Sequence, residues 1–351
     1  MEGSGFTMNE GQLQAHGTVA QKLMHAGMNT AALRTWIGED NRSYMNINGK
    51  ATIINNASTL RKDEWKQYDT AVIEAARLRL NGIADLNSRG LSYNIPNGLG
   101  TTVLEYEDLG DITAAEMNMD GISPGQKDRP QYNINYLPLP IIHKDFSVNA
   151  RVLAASRTTG RPLDTTMAAL AGKVVAEKAE TILFQGASAY SFGGGIIRGY
   201  QDFPSRNTVT LSQNWDASGK TGAEILTDVI GMKQASINDR HYGPWVIYVP
   251  TAYETVLDED YGSNYPKSTR ARILEIDGIS AIKVSDFLSA NNVMMVEMNP
   301  ETVRMVNGMQ VTVVEWATEG NMIHHFKVMT IMVPQLRADQ NLRSGIIHLA
   351  A

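Results

Sequence analysis

PLDTTMAALAGKVVAEKAETILFQG, residues 162–186, is the stretch around which the rest of the chain is organised. Met167, Ala171, Val174, Lys178 and Ile182 fall three or four apart, so the spacing predicts one long helix with four apolar residues and one long side chain sharing a face. Asp164, Thr165 or Thr166 can cap its start, and Gly186 can take the left-handed position just past its end. From Asp164 to Gln185 such a helix extends roughly 33 Å at about 1.5 Å per residue, about the width of a small domain. Ala168, Ala169, Ala171, Ala176 and Ala179 keep helix propensity high and let neighbouring backbones approach. Taken alone, the stretch also fits a core helix of an ordinary enzyme, and the segments around it separate the two readings.

Upstream, from Gly98 to Val148, the apolar period switches to two. Thr102, Leu104 and Tyr106 alternate with Val103, Glu105 and Glu107, and Tyr132, Ile134 and Tyr136 alternate with Asn133 and Asn135. A turn-rich tip, Met119 to Pro130, lies between and contains Asp120-Gly121 and Pro124-Gly125. The pattern predicts a long two-stranded arm with tyrosines on one face. A lone hairpin has no core of its own and is marginal in water, so this arm needs a further surface. Its own domain can supply one, but a tip so polar and glycine-rich points to a neighbouring subunit. Tyr106, Tyr132 and Tyr136, with Lys127, Asp128 and Arg129 at the tip, are therefore expected at inter-subunit contacts. Pro138 to Val148 adds another extended run.

Before the arm, Trp65, Tyr68, Val72, Ala76 and Leu80 follow three- and four-residue steps, which predicts an amphipathic helix over Leu60 to Leu80. Residues 1–60 are polar and weakly periodic, with Gln12 to Met28 the one stretch that fits a helix. Asn41, Asn46, Asn48, Asn55 and Asn56 indicate loop or irregular extended chain. Such a segment is either a disordered tail or an arm that becomes ordered on a partner.

Downstream, Gly193, Gly194 and Gly195 read as a flexible connection, since neither the G-x-G-x-x-G nor the G-K-[ST] phosphate pattern is present. Residues 222–300 read as a compact α/β unit. A helix is expected around Ile225, Leu226, Val229 and Met232, a buried strand over Trp245–Val249, and a short helix over Thr269–Ile276. Strands are expected at Ile279–Val284 and Val293–Met298, then at Val303–Val306, Met309–Val314, His324–Val333 and Gly345–Leu349. The nearly continuous apolar run of His324–Val333 predicts burial on both faces.

Composition narrows the chemistry. Among 351 residues, 43% are hydrophobic and 19% charged, a globular balance, and the formal charge of -6 gives no global attraction to nucleic acid. The absence of cysteine excludes disulfides, thiol catalysis and thiolate metal sites. No apolar run approaches the ~18 residues of a membrane span and the N-terminus has no secretion signal, so a soluble protein made in a cytoplasm is expected. Histidines 16, 25, 143, 241, 324, 325 and 348 have no partner at metal-ligand helical spacing. His324 and His325 are neighbours on a strand and point to opposite faces. Asp258-Glu259-Asp260 can bind a hard cation but reads first as a solvated turn. With no H-E-x-x-H and no G-x-S-x-G either, no catalytic, cofactor-binding or metal residue is assigned.

The order of these parts resembles the major capsid proteins of tailed phages with the Hong Kong 97-type fold. The runs carrying the resemblance are Leu60-Arg61-Lys62-Asp63-Glu64-Trp65, Leu139-Pro140-Ile141-Ile142-His143-Lys144-Asp145-Phe146, Pro162-Leu163-Asp164-Thr165-Thr166 and His325-Phe326-Lys327-Val328-Met329. Their succession, from about Leu60 to the C-terminus, is the signal. The resemblance implies an α+β chain with an N-terminal arm at 1–60, an N-terminal helix and the start of the P-domain at 61–97, and an E-loop hairpin at 98–148. It further implies a P-domain at 149–221 with its spine helix at 164–185, an A-domain at 222–305 and returning strands at 306–351.

By the same resemblance the protein is structural, with no catalysis and no cofactor. It would assemble with itself, as hexamers and pentamers, into an icosahedral shell around double-stranded DNA held without sequence specificity. Scaffold, portal or decoration proteins are further implied partners, a membrane is not, and the location is the virion, assembled in the host cytoplasm. A-domains would gather at five- and six-fold axes, where Asp258, Glu259 and Asp260 would make inter-subunit contacts. Some members of the fold join a hairpin-tip lysine to an asparagine of another subunit, a role that would carry over to Lys127. Encapsulins share the fold, and residues 61–80 resemble their N-terminal helix. In encapsulins that helix stands at the N-terminus, whereas residues 1–60 precede it here, a departure that fits a phage arm. An encapsulin-type nanocompartment shell is the alternative, and a soluble α/β enzyme with a β-arm for oligomerisation the second alternative.

Overall fold

The computed structural model describes residues 35–37, 43–47, 50–53, 67, 70–73, 81–109, 117, 119, 132–152, 165–262, 265–318, 322–339 and 341–350. The helix expected at Gln12–Met28, most of the one at Leu60–Leu80, and the hairpin tip apart from Met119 lie outside these residues. Two compact units divide the chain. One comprises Met1–Lys66, Ser147–Leu163 and Trp316–His325, the other Gln67–Phe146, Asp164–Glu315 and Phe326–Ala351.

The first unit contains β1 (Thr35–Ile37), β2 (Ser43–Ile47) and β3 (Lys50–Ile53), a three-stranded antiparallel sheet with Trp36 opposite Tyr44 and Met45 opposite Thr52. This regular sheet corrects the irregular chain expected from the asparagines, and Asn46 lies within β2. Asn48-Gly49, between Ile47 and Lys50, is the dipeptide that favours two-residue hairpin loops, a stronger signal than asparagine content.

Helical residues 70–73 of the second unit are followed along the chain by α1 (Asn81–Ser88), β4 (Ser92–Asn94), β5 (Val103–Leu109), β6 (Tyr132–Pro138), β7 (Ile142–Asn149, its last three residues in the first unit) and α2 (Thr166–Gln185). The long helix forms where its spacing predicts, but on a different face. Ala168, Ala171, Gly172, Val175, Ala176, Ala179, Ile182, Leu183 and Phe184 are buried, whereas Met167, Leu170 and Val174 are 52%, 48% and 46% exposed and Lys178 faces solvent. Small residues point inward because neighbouring backbone comes close: a Cβ added at Gly172 would lie 2.8 Å from the Val72 carbonyl oxygen. Thr165 occupies the cap position without a side-chain hydrogen bond. Gly186 has the expected positive φ, 75°, with an extended ψ of -170°.

Beyond α2 come β8 (Ala187–Phe192), β9 (Gly195–Ile197), β10 (Asn207–Thr210), α3 (Gly222–Asn238), β11 (Trp245–Pro250), α4 (Glu254–Asp258), β12 (Asp260–Gly262), β13 (Tyr265–Ser268) and α5 (Thr269–Leu274). The chain then forms β14 (Ile279–Ser285), β15 (Val293–Glu297), β16 (Val303–Thr318), β17 (Ile323–Leu336) and β18 (Ile346–Ala350). A five-stranded sheet in the order β10-β18-β15-β11-β14 forms the main core, with strands at 207–210 and 346–350 joining those of 222–305. Strand β11, between β15 and β14, is buried on both faces, as its unbroken WVIYVP run requires. Trp245, Ile247 and Val249 share a cluster with Val229 and Met232 of α3, Ile273 of α5, and Trp215, which stacks on Tyr253 with centroids 5.3 Å apart. From the other face Tyr248 meets Phe184 of α2 edge-on at 5.1 Å. A full capping box, Thr221 with Glu224, starts α3.

A second sheet runs β4-β16-β17-β7. Here β16 is one continuous strand where two were expected, broken at Asn307-Gly308. That pair is a close crossing rather than a turn: a Cβ at Gly98 would lie 2.1 Å from the Gly308 carbonyl oxygen, and Ile95 N–H donates to Asn307 O at 2.9 Å. In β17 burial alternates up to Thr330 and becomes continuous from Ile331 to Leu336, so only its second half is covered on both faces.

Candidate assembly surface

Strands β5 and β6 pair antiparallel from Val103 opposite Pro138 to Leu109 opposite Tyr132. Residues directly opposite share a face. Tyr106 stands opposite Asn135, while Tyr136 stands opposite Glu105 and Ile134 opposite Glu107. Tyr106 and Tyr136 therefore lie on opposite faces, which corrects the expectation of tyrosines on one face; the side-chain period of two within β6 says nothing about the register with β5.

At its base the arm is covered by its own chain. Leu137, Pro138 and Leu139 are buried, and the β8–β9 hairpin lies so close that a Cβ at Gly195 would stand 2.2 Å from the Tyr136 carbonyl oxygen. Gly193 and Gly194, with φ of 59° and 83°, form the tight turn between those strands. The triple glycine is thus a packed turn against the arm, not a flexible connection. Farther out the cover ends: Ile134 is 55% exposed, Tyr136 40%, and Met117 and Met119 are fully exposed.

A groove of about 440 Å³ opens where the arm meets this cradle, lined among others by Tyr106, Ile134, Tyr136, Ile196, Phe203 and Leu342. On the arm, the Arg337 guanidinium lies 5.8 Å from the Tyr106 ring centroid and donates to the Glu107 carbonyl oxygen at 3.3 Å. Tyr190 and Phe192 of β8 are exposed, as are Met167, Leu170 and Val174 at helical spacing on α2. Clustered apolar exposure of this kind marks contact surface rather than chemistry.

Of the sequence-predicted contact residues, Tyr106 and Tyr136 line that groove together. Tyr132 occupies the outermost described pair of the ladder, and its side chain lies outside the described residues, as do Lys127, Asp128 and Arg129. Asp258, Glu259 and Asp260 form the exposed corner between α4 and β12. Arg270 binds Asp258 at 2.9 Å, and the Glu259 carbonyl accepts the Thr269 N–H at 2.9 Å. Sequence reasoning missed Ile196 and Leu342, which reach the groove from segments far apart in the chain, and Arg337, which packs on Tyr106. It placed Ile134 in the alternation without naming it as a contact. Among the described residues no group of three or more His, Asp or Glu is placed to hold a metal ion.

The profile of a family of unknown function, DUF6260, matches residues 55–349. The type 1 encapsulin shell protein EncA of Myxococcus xanthus (strain DK1622) is 23% identical over 293 residues, spanning 79% of this chain and 90% of that protein. Among solved structures, a virus-like particle from Pyrococcus furiosus matches with a TM-score of 0.60 at 18% identity, over 81% of this chain and 98% of the other. The capsid of Myoviridae phage XM1 matches with a TM-score of 0.57 at 8% identity, over 71% and 85%. At such identities the likeness is one of fold: an α+β chain of the Hong Kong 97 type, the fold of phage capsids and encapsulins.

Proposed function

Since the chain belongs to the DUF6260 family, whose function is unknown, and has a shell-forming fold, we propose that it is a major capsid protein that self-assembles into an icosahedral shell enclosing double-stranded DNA. The observation carrying this reading is the half-covered arm, seated on β9 at its base and bare at Ile134, Tyr136, Met117 and Met119. In a shell each arm lies across an adjacent subunit, so apolar area that a monomer leaves wet becomes buried. At roughly 25 cal/mol per Å², less large ordering costs, many such weak contacts sum to a stable closed container. Repeated identical contacts close by symmetry into hexamers and pentamers. The contacts are assigned to Tyr106, Tyr132, Tyr136 and the tip residues Lys127, Asp128 and Arg129, with Asp258, Glu259 and Asp260 at the symmetry axes. The particle is a virion, and its protein has no catalytic task.

Negative-stain imaging of the purified protein, followed by extraction of nuclease-protected nucleic acid, tests this. Closed shells holding protected DNA are expected. A small oligomer at every concentration, with no shells, overturns the reading and favours the soluble enzyme with a β-arm. The relationship to EncA over 90% of that protein supports a second reading, a nanocompartment shell, for which the same preparation yields shells holding protein cargo and no protected DNA. Denaturing electrophoresis of mature shells tests Lys127 as a crosslink: only monomer bands exclude it.

A further inference from the structure

Two half-buried arginines meet at the sheet β4-β16-β17-β7: Arg304 on β16 and Arg337 just past the end of β17. Arg304 lies 4.9 Å from the ring centroid of Tyr93, which pairs opposite Val306 and so shares the Arg304 face, and Arg337 lies 5.8 Å from that of Tyr106. Arg304 Nε donates to Gln335 Oε1 at 2.5 Å, and Arg337 Nη2 donates to the Glu107 carbonyl. Among the described residues neither guanidinium forms an ion pair. Glu107 and Glu301 border the same cavity as Arg337 without pairing with it through their carboxylates, and Asp339 there is held by Arg343 at 3.8 Å.

The two cations therefore act on each other with no anion between them. Burial, and then the Arg337 charge, lower the Arg304 pKa from its ordinary value. Gln335 adds a third donor. Its oxygen must face Arg304, since a turned amide would set its NH2 against the guanidinium. Its Nε2 is then left fully buried with no acceptor among the described residues. The three side chains have donors to spare, and what they lack is an acceptor that carries negative charge.

We propose that Arg304, Arg337 and Gln335 form a binding site for a phosphate group, as inorganic phosphate or a small phosphate monoester. Such a group carries about 1.5 to 2 negative charges near pH 7 and three acceptor oxygens, which matches two adjacent guanidiniums. A carboxylate supplies one charge and two oxygens. The tyrosine rings and the Gln335 carbonyl hold both planar forks in place before the ligand arrives, so little side-chain freedom is lost on binding. The inference concerns the single subunit and stands or falls apart from the shell reading.

Phenylglyoxal modification of arginines in dispersed subunits, mapped by mass spectrometry at fixed ionic strength, tests this. With inorganic phosphate at about ten times its half-saturating concentration, modification of Arg304 and Arg337 is expected to slow about tenfold, while exposed Arg151 reacts as before. Acetate leaves all three rates unchanged, and Arg304→Gln removes the protection of Arg337. Rates that ignore phosphate, equal slowing of Arg151, equal protection by acetate, or full protection of Arg337 in the variant overturn the proposal. If the variant does not fold, the wild-type rates decide. Protection by a short DNA duplex but not by phosphate also overturns it and assigns the pair to a nucleic-acid backbone. Protection that comes only with assembly into shells overturns it in favour of carboxylates from a second copy.

Discussion

His348 sits on β18 with both ring nitrogens engaged: Arg206 Nε donates to Nδ1 at 3.0 Å, and Nε2–H donates to Asn292 Oδ1 at 2.6 Å. Burial first, and then the Arg206 charge, lower its pKa to about 4 from 6.5. The unfolded chain therefore binds the extra proton between those values, so the contribution of His348 to stability is complete above 6.5 and lost as pH falls toward 4. The gap in denaturant midpoint between wild type and His348→Gln is therefore expected to change from pH 7 to pH 4.5 by on the order of 1–2 kcal/mol after solvent screening, in the direction of a falling His348 contribution, and a gap independent of pH overturns this. At Gly195 the constraint is steric: Gly195→Ala is expected to lose about 1–3 kcal/mol, read as a lower melting temperature, because the new methyl meets the Tyr136 backbone rather than a movable side chain. None of these partnerships is legible in the chain order, since Arg206 and His348 are 142 positions apart.

At the scale of elements, period and capping locate α2 to within a few residues but misplace its inner face. The expectation that large apolar side chains point inward fails where closely approaching backbone admits only Ala and Gly, leaving Met167, Leu170 and Val174 outside. Two variants separate the faces. Phe184→Ala, which empties a fully buried site between Tyr200 and Tyr248, is expected to cost about 3–5 kcal/mol in chemical denaturation. Val174→Asp, on the exposed face, is expected to change it by no more than about 0.5 kcal/mol. On the arm, Ile134→Asp with Tyr136→Ser is expected to leave the melting temperature of the subunit nearly unchanged and to suppress shells in electron micrographs; normal shells from that pair would remove the arm from the assembly contacts.

For the whole molecule, deleting Met119 to Pro130 is expected to leave a folded subunit that assembles poorly, checked by circular dichroism alongside sedimentation. Local pattern by itself determined most of the elements from the arm onward and their order, because a period of two or near 3.6 and an unbroken apolar run act within a few residues of chain, whereas β1–β3 and the β8–β9 pair went unread. It thereby identified an α+β architecture with a long arm, a long helix and an α/β core. Tertiary structure alone decided which face of α2 is buried, that Tyr106 and Tyr136 lie on opposite sides of the arm, that Asn307-Gly308 continues a strand, and that Gly193 to Gly195 form a cradle for the arm. Each of these depends on backbone or side chains brought from distant parts of the sequence, and packing at that contact outweighs the weaker preference of the local segment.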